Sequence, residues 1–254
     1  QPIVLKSYEN PYETYFSNSV GTLNILESLR LSNHPCSAVL ITSDKCYENL
    51  NKNIQYKETD RLGGIDPYSS SKASAELMIR SYCKAFFSKP NSKVRLASAR
   101  AGNVMGGGDW AVNRIVPDCM RSWSKNKKVT LRSPKSTRPW QHVLEPLCGY
   151  LTLTAKLNLN KKLIGESFNF GPKANNSYSV EELVSKLSSH LEYAEYVIKT
   201  QKEKKYEAKL LNLNISKASR ILNWKPILTF NTTAKWTAEW YDSYYKKSKL
   251  DGYK

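Results

Sequence analysis

Between Phe16 and Leu29 apolar side chains return every three or four positions, at Phe16, Val20, Leu23, Leu26 and Leu29, which is the period of one helical face. Asn10-Pro11 opens this helix, with proline at the first helical position, and His34-Pro35 closes it. Over residues 37–43 the pattern changes to Ser-Ala-Val-Leu-Ile-Thr-Ser, a short continuous apolar run of the kind found in buried parallel strands. A polar loop over 46–66 leads into a long helix over 67–88, and 93–101 reads as a second strand. Helix, strand, helix, strand in this order predicts an α/β chain built on a doubly wound parallel sheet.

Beyond Gly106-Gly107-Gly108 the periodicity loosens. A segment around 114–124, a strand over 129–132, a helix over 145–156 and a strand over 167–170 follow, and Ser179 with Glu182 forms a capping-box start for another helix. Trp236, Trp240 and Tyr244 make an aromatic stripe at helical spacing, expected to pack against its own lobe. The organisation predicted is the remaining part of a dinucleotide-binding domain over 1–112 and a smaller, mainly substrate-binding lobe over 113–254, interleaved with sheet elements. A Rossmann-type unit opens with a strand, a glycine-rich turn and a helix whose N-terminus binds pyrophosphate. The sequence contains no such opening, and the glycines at 106–108 lie downstream of the chemistry described next, so the first expectation is that the chain lacks its N-terminal strands and is catalytically silent as written.

Charge and cysteine content change this picture little. The 39 basic and 22 acidic residues give a formal charge of +17, but the excess is mostly lysine in short scattered runs such as Lys127-Lys128, Lys161-Lys162, 202–205 and Lys246-Lys247, without an arginine cluster or nucleic-acid motif. Anionic small-molecule substrates suit it better than nucleic acid. No apolar run approaches the roughly 20 residues that span a bilayer. The five cysteines are widely spaced, show no Cys-x-x-Cys pattern and fit a reducing cytoplasm, with no metal expected.

The chemistry concentrates at two places. Tyr68 and Lys72 stand four residues apart at the start of the helix after Asp66-Pro67, so they share a face; a lysine ammonium there favours the phenolate and makes tyrosine a usable base. Such a pair is ordinary on its own. Thr42-Ser43-Asp44-Lys45 ends the first strand, and strand carboxyl ends are where open α/β sheets bind ligands. Ser43 precedes Tyr68 by 25 residues and follows Asn18 by the same interval.

This Asn-Ser-Tyr-Lys spacing resembles the active-site tetrad of the extended short-chain dehydrogenase/reductase family, whose members rework nucleotide sugars on a bound nicotinamide cofactor. Sugar 4,6-dehydratases of the family carry an acid after the Thr/Ser position, mostly followed by glutamate; here lysine fills that place. With Cys46-Tyr47-Glu48-Asn49, Ala101-Gly102-Asn103-Val104, Gly106-Gly107-Gly108-Asp109-Trp110 and the stretch from Arg138 to Pro146, the lysine variant resembles the CDP-glucose 4,6-dehydratase branch.

The resemblance implies a cytoplasmic, NAD-dependent lyase of deoxysugar and surface-polysaccharide biosynthesis, homo-oligomeric, acting on CDP-glucose. It implies that Tyr68 takes the 4-hydroxyl proton, Lys72 lowers the tyrosine pKa and holds the nicotinamide ribose, Ser43 or Thr42 bonds the 4-oxygen, and Asn18 braces the site. Lys45 would handle the C5 proton and Asp44 the departing 6-hydroxyl. Gln1, Gly102 and Val104 join Tyr68 and Lys72 as cofactor contacts; Asn103, Arg138 and Asn169 become substrate contacts. Lys45 acting only as an ion-pair partner stays open. His142 reads as packing, and Leu5 stands where relatives commonly carry arginine. The competing readings are another nucleotide-sugar dehydratase or epimerase, and a non-catalytic remnant or basic binding protein that keeps the fold's second half.

Overall fold

A computed structural model describes residues 1–50, 52, 54–131, 133–173, 177–199 and 211–250, with side chains to 247. Arg132 and the lysine run at 202–205 therefore lie outside the described residues. In chain order the elements are α1 (Val4–Glu9), α2 (Pro11–Tyr15), α3 (Gly21–Leu31), β1 (Cys36–Ile41), β2 (Gln55–Tyr56), α4 (Pro67–Tyr82), β3 (Val94–Ala101), β4 (Val104–Met105), α5 (Ile115–Trp123) and β5 (Val129–Leu131). They continue with β6 (Thr137–Arg138), β7 (Gln141–His142), α6 (Leu144–Leu159), β8 (Ser167–Phe170), β9 (Tyr178–Ser179), α7 (Val180–Ser188), β10 (Tyr196–Ile198), β11 (Asn212–Leu213) and α8 (Phe230–Leu250). No helix among the described residues is long and apolar enough to cross a membrane.

Two compact units divide the chain, and both are discontinuous. The first comprises 1–102, 146–171 and 211–226; the second comprises 103–145, 172–210 and 227–254. Residues 146–171 return to the first unit because β8 completes its sheet: β1, β3 and β8 are parallel, with β3 central, Cys36 opposite Val94 and Arg100 opposite Asn169. The sequence placed the boundary near residue 112 with sheet elements interleaved beyond it, and β8 is such an element.

In the first unit β3 is buried on both faces, and its alternation sorts the core. Val94 and Leu96 pack with Leu26 of α3 and with Ile79, Cys83 and Phe87 at the end of α4. Ala97 and Ala99 point the other way, onto Leu153 and Leu157 of α6 with Phe168, Phe170 and Trp224. Ser98 and Arg100 continue the first of these rows, so the face towards α4 turns polar at the strand's carboxyl end.

Local chemistry explains where the site-bearing helices start. Asp66 caps α4, its carboxylate accepting from the Ser69 amide at 2.9 Å and the Ser69 hydroxyl at 2.6 Å, while Pro67 sits in the first turn. Helices α2 and α3 are joined by a π-helical turn, Phe16–Val20, and α4 ends in another, Cys83–Phe87. Such wide turns recur at functional sites, and the first one carries Asn18.

The second unit packs α5, α7 and α8 around Trp123, Leu131, Leu183, Leu187 and Tyr241. Ser179 and Glu182 form the predicted capping box at α7. The aromatic stripe of α8 packs only in part, since Trp236, Trp240 and Tyr244 stay exposed: Trp240 stacks with Tyr244 at 5.6 Å, and Trp110 lies 4.8 Å from Tyr244. Gly107 makes this possible, since a Cβ there would come within 2.0 Å of the Trp240 ring. Gly107→Ala should therefore lower unfolding free energy by about 1–3 kcal/mol, the usual range for overpacking, read as a shift in denaturant midpoint with unchanged slope. An unchanged midpoint would mean the indole moves aside at no cost.

Candidate active site

Within the first unit the structure brings the predicted tetrad segments together. The carboxyl end of β1 continues through Thr42 and Ser43 into a 3-10 turn, Asp44–Cys46, and α4 packs on both this turn and the π turn of Asn18. Asn18 is buried; its Nδ2 donates to Ser71 Oγ at 3.0 Å, and that hydroxyl donates to the Tyr68 carbonyl at 2.7 Å. Asn18 thus fixes the start of α4 through Ser71, the residue directly before Lys72. The carbonyl of Asn18 accepts from the Thr22 hydroxyl at 2.6 Å.

Ser43 and Asp44 are buried and joined. Ser43 Oγ donates to Asp44 Oδ1 at 3.0 Å and accepts from the Lys45 amide at 3.2 Å, capping the turn. Lys45 is half-buried and forms no ion pair with a described residue. Tyr68 is buried and Lys72 half-buried on the same face of α4. Burial pushes the Lys72 ammonium below its ordinary pKa, against the upward pull of Cys46 and Glu76. No hydrogen-bond acceptor for Lys72 lies among the described residues. A half-buried cationic donor one turn from a phenol suits a ribose diol, so the donor set fits a nicotinamide nucleoside.

The sequence did not reveal what supports these groups. Beneath them lies a buried charged network centred on Glu76, one helical turn beyond Lys72. Its Oε1 accepts from Thr42 Oγ1 at 2.5 Å, and its Oε2 accepts from Arg100 Nη2 at 2.7 Å, Ser98 Oγ at 3.0 Å and Ser167 Oγ at 3.2 Å. Burial works to raise the Glu76 carboxyl, but the Arg100 guanidinium and the hydroxyls win and hold it below the ordinary range. Arg100 also donates to Tyr47 Oη at 2.8 Å, which donates in turn to Asn169 Oδ1 at 2.7 Å. Two signals were present in the sequence: Glu76 continues the row of Tyr68 and Lys72 at four-residue steps, and Arg100 puts a charge at the carboxyl end of a strand that is small or apolar from Leu96 to Ala99.

Two expected roles change. Asn169 is fully buried, its amide nitrogen donating to the Tyr56 and Asn214 carbonyls at 2.9 and 3.3 Å, so it ties β8 to neighbouring segments and has no surface to offer a substrate. Thr42 has its hydroxyl proton committed to the buried Glu76 and Ser43 has its own on Asp44, so Ser43 can donate to a sugar oxygen only when Asp44 is protonated. The Gln1 carboxamide is also engaged, donating to Thr14 Oγ1 at 2.8 Å and accepting from the Ile3 amide. Gly102 is half-buried just past the end of β3.

In the second unit β4 pairs with β7, so that Val104 faces Gln141 and the Asn103 carbonyl accepts from the Gln141 amide at 3.2 Å. This places Asn103 beside the strand segment that follows Arg138. Arg138 is half-buried on β6, with Nη1 donating to the Thr137 carbonyl at 2.7 Å. His142 is a packing residue: buried, edge-on to Trp236 at 5.7 Å, with Nδ1 accepting from the Leu144 amide at 3.2 Å. Burial lowers its pKa despite Glu145, in keeping with an unprotonated acceptor nitrogen.

A sequence profile of the family described as GDP-mannose 4,6 dehydratase matches residues 1–237. The CDP-glucose 4,6-dehydratase of Salmonella typhimurium is 41% identical over 248 residues, which cover 94% of this chain and 69% of that protein. Among solved structures, the dTDP-glucose 4,6-dehydratase of Bacillus anthracis in complex with NAD superposes with a TM-score of 0.71 at 26% identity, over 90% of this chain and 68% of that one. RMD from Pseudomonas aeruginosa, solved with NADPH, shares the fold at TM-score 0.80 and 19% identity, over 96% of this chain and 79% of that one.

Proposed function

Because the chain belongs to the GDP-mannose 4,6-dehydratase family, we propose that it converts CDP-glucose to CDP-4-keto-6-deoxyglucose, an NAD-dependent lyase reaction in deoxysugar synthesis. The observation that carries the reading is the capped turn Asp44–Cys46 packed against the Tyr68 and Lys72 helix: a base, an acid and an amine are grouped at one strand end. A 4,6-dehydration needs that set. An epimerase acting only at C4 has no use for the pair Asp44 and Lys45.

A bound nicotinamide supplies the hydride chemistry, as acceptor at C4 and donor at C6. Tyr68 takes the proton of the 4-hydroxyl, and the Lys72 ammonium favours the phenolate that this requires while donating to the ribose. Ser43 holds the 4-oxygen as it becomes a carbonyl. The 4-keto group acidifies C5, and the Lys45 amine takes that proton. Asp44, in its protonated form, gives its proton to the departing 6-hydroxyl, so water leaves. A protonated Asp44 also no longer draws the Ser43 hydroxyl proton, which frees Ser43 to donate to the sugar. Lys45 returns its proton to C5 when C6 is reduced, and the proton that Tyr68 took from the 4-hydroxyl is released and replaced at Asp44 from solvent, so all three side chains are restored.

Arg138 and Asn103 take the diphosphate end, since closely spaced anionic oxygens match a guanidinium fork and an amide. Arg138→Ala should weaken CDP-glucose binding by about 1.5–3 kcal/mol, the range for a hydrogen bond to a charged group. Titration calorimetry on the full-length protein tests this, and unchanged affinity would remove Arg138 from the site. A homo-oligomeric, cytoplasmic protein belongs to the same reading; Cys36, Cys46, Cys83, Cys119 and Cys148 are all free thiols, as a reducing compartment allows.

A further inference from the structure

Glu76 ties three strand segments to its own helix with one carboxylate. It projects from α4 on the row of Tyr68 and Lys72, reaches Thr42 just beyond β1, and meets Ser98 and Arg100 of β3 and Ser167 of β8. Thr42 directly precedes Ser43, Asp44 and Lys45. The residue that anchors the catalytic helix to the sheet is therefore also the residue that holds the strand end from which the acid and the amine are presented. We propose that Glu76 is a positioning residue for the reaction, setting the 42–45 segment against Tyr68 and Lys72 through the Thr42 hydroxyl, beyond any contribution it makes to folding.

The two oxygens divide these tasks. Oε2 faces Arg100, Ser98 and Ser167 and belongs to the interior, where Arg100 and Ser167 are themselves joined at 3.1 Å. Among the described residues Oε1 accepts from Thr42, which is half-buried where the strand opens into the turn. The Thr42 backbone is held by the Ala99 carbonyl at 2.8 Å, so the side-chain link to Glu76 adds a hydrogen bond from this strand end to α4, beside the packing of the 44–46 turn on that helix. A displacement of reacting groups by about 1 Å can cost 10²-fold in rate without altering substrate affinity.

This inference rests on the dehydratase reading, and its test separates the two. In the full-length protein Glu76→Gln keeps the shape but replaces one acceptor oxygen by a donor, Thr42→Val removes the Oε1 link together with a long contact to the Ala99 carbonyl at 3.5 Å, and Ser98→Ala leaves Oε1 untouched while removing an Oε2 link and the Ser98 bond to Ser167 at 2.8 Å. With CDP-glucose and NAD, Glu76→Gln and Thr42→Val should each lower kcat by about 10- to 100-fold with KM within about threefold. The double variant should lose no more than the worse single one, because both act through the same contact. Ser98→Ala should lower the melting temperature and leave kcat unchanged. Hydrogen exchange provides a readout without catalysis: the amides of 44–47 should exchange faster in Glu76→Gln and Thr42→Val, but not in Ser98→Ala, at temperatures well below unfolding.

Additive losses in the double variant, or unchanged exchange over 44–47, would overturn the positioning role. If Glu76→Gln does not fold, Thr42→Val against Ser98→Ala decides by the same two readouts. Absence of turnover in the unmutated full-length protein would defeat the dehydratase reading instead, while the exchange comparison would still decide whether Glu76 sets the turn.

Discussion

Tyr68→Phe in the full-length protein should lower kcat for CDP-glucose by about 10²- to 10⁴-fold, the range for removing a general base, with KM little changed. The ring is buried and the substitution keeps its volume, so the fold should survive and the loss should belong to chemistry. The first step of the proposed reaction removes a proton from a sugar hydroxyl, and the other phenol beside a cation near this strand end, Tyr47 on Arg100, is buried with its proton donated to Asn169. Adding base would not rescue the variant, because the missing group is needed at a fixed position. A kcat within about threefold of the unmutated protein would assign the proton to another residue.

Arg100→Leu should be the most destabilising single substitution among the site's supporting residues. It leaves the Glu76 carboxylate buried without its cation, and breaking such a pair costs about 3–5 kcal/mol. For a chain of this size that corresponds to a fall in melting temperature on the order of 10 °C. The pH dependence has a definite sign. In the unmutated protein the Glu76 carboxyl sits below its ordinary value of 4.5, so its contribution is fully present above that pH and is lost as the pH falls through the lowered folded value. Without Arg100, burial pushes the same carboxyl up. The stability gap between the two proteins should therefore be widest near neutral pH and narrow below about 4.5. A gap independent of pH would mean that packing, not the ion pair, dominates at Arg100.

Much of the fold is legible because the periods are clean. The strand over 167–170 is observed as Ser167–Phe170, the second strand as Val94–Ala101, and the helix after Asp66-Pro67 begins where the cap and proline place it. The helix over 67–88 divides into α4 and a π turn, a distinction that apolar spacing does not encode. The two-unit division was not legible: nothing in the local pattern of 146–171 or 211–226 says which core they join, because that depends on β8 pairing with a strand more than sixty residues earlier.

The site was legible where its residues are neighbours on one element or recur at a known spacing. Tyr68 and Lys72 share a helical face, and Ser43, Asp44 and Lys45 share a turn. Its foundation was not, because Glu76, Arg100, Ser98 and Ser167 meet only once helix and strands are assembled. Asn169 misled for a related reason. An asparagine between two phenylalanines reads equally as a polar group presented to a ligand or as one buried and satisfied, and the partners that decide it, Tyr47, Tyr56 and Asn214, are remote in sequence.

The account turns on hydride leaving C4 and arriving at C6 of one sugar while Tyr68, Lys45 and Asp44 move the protons. CDP-glucose deuterated at C4, incubated with the full-length protein and NAD, should give a 4-keto-6-deoxy product whose deuterium is at C6, read by mass spectrometry and NMR. Deuterium retained at C4 of an epimerised sugar, or lost to solvent without deoxygenation at C6, would contradict the dehydratase assignment.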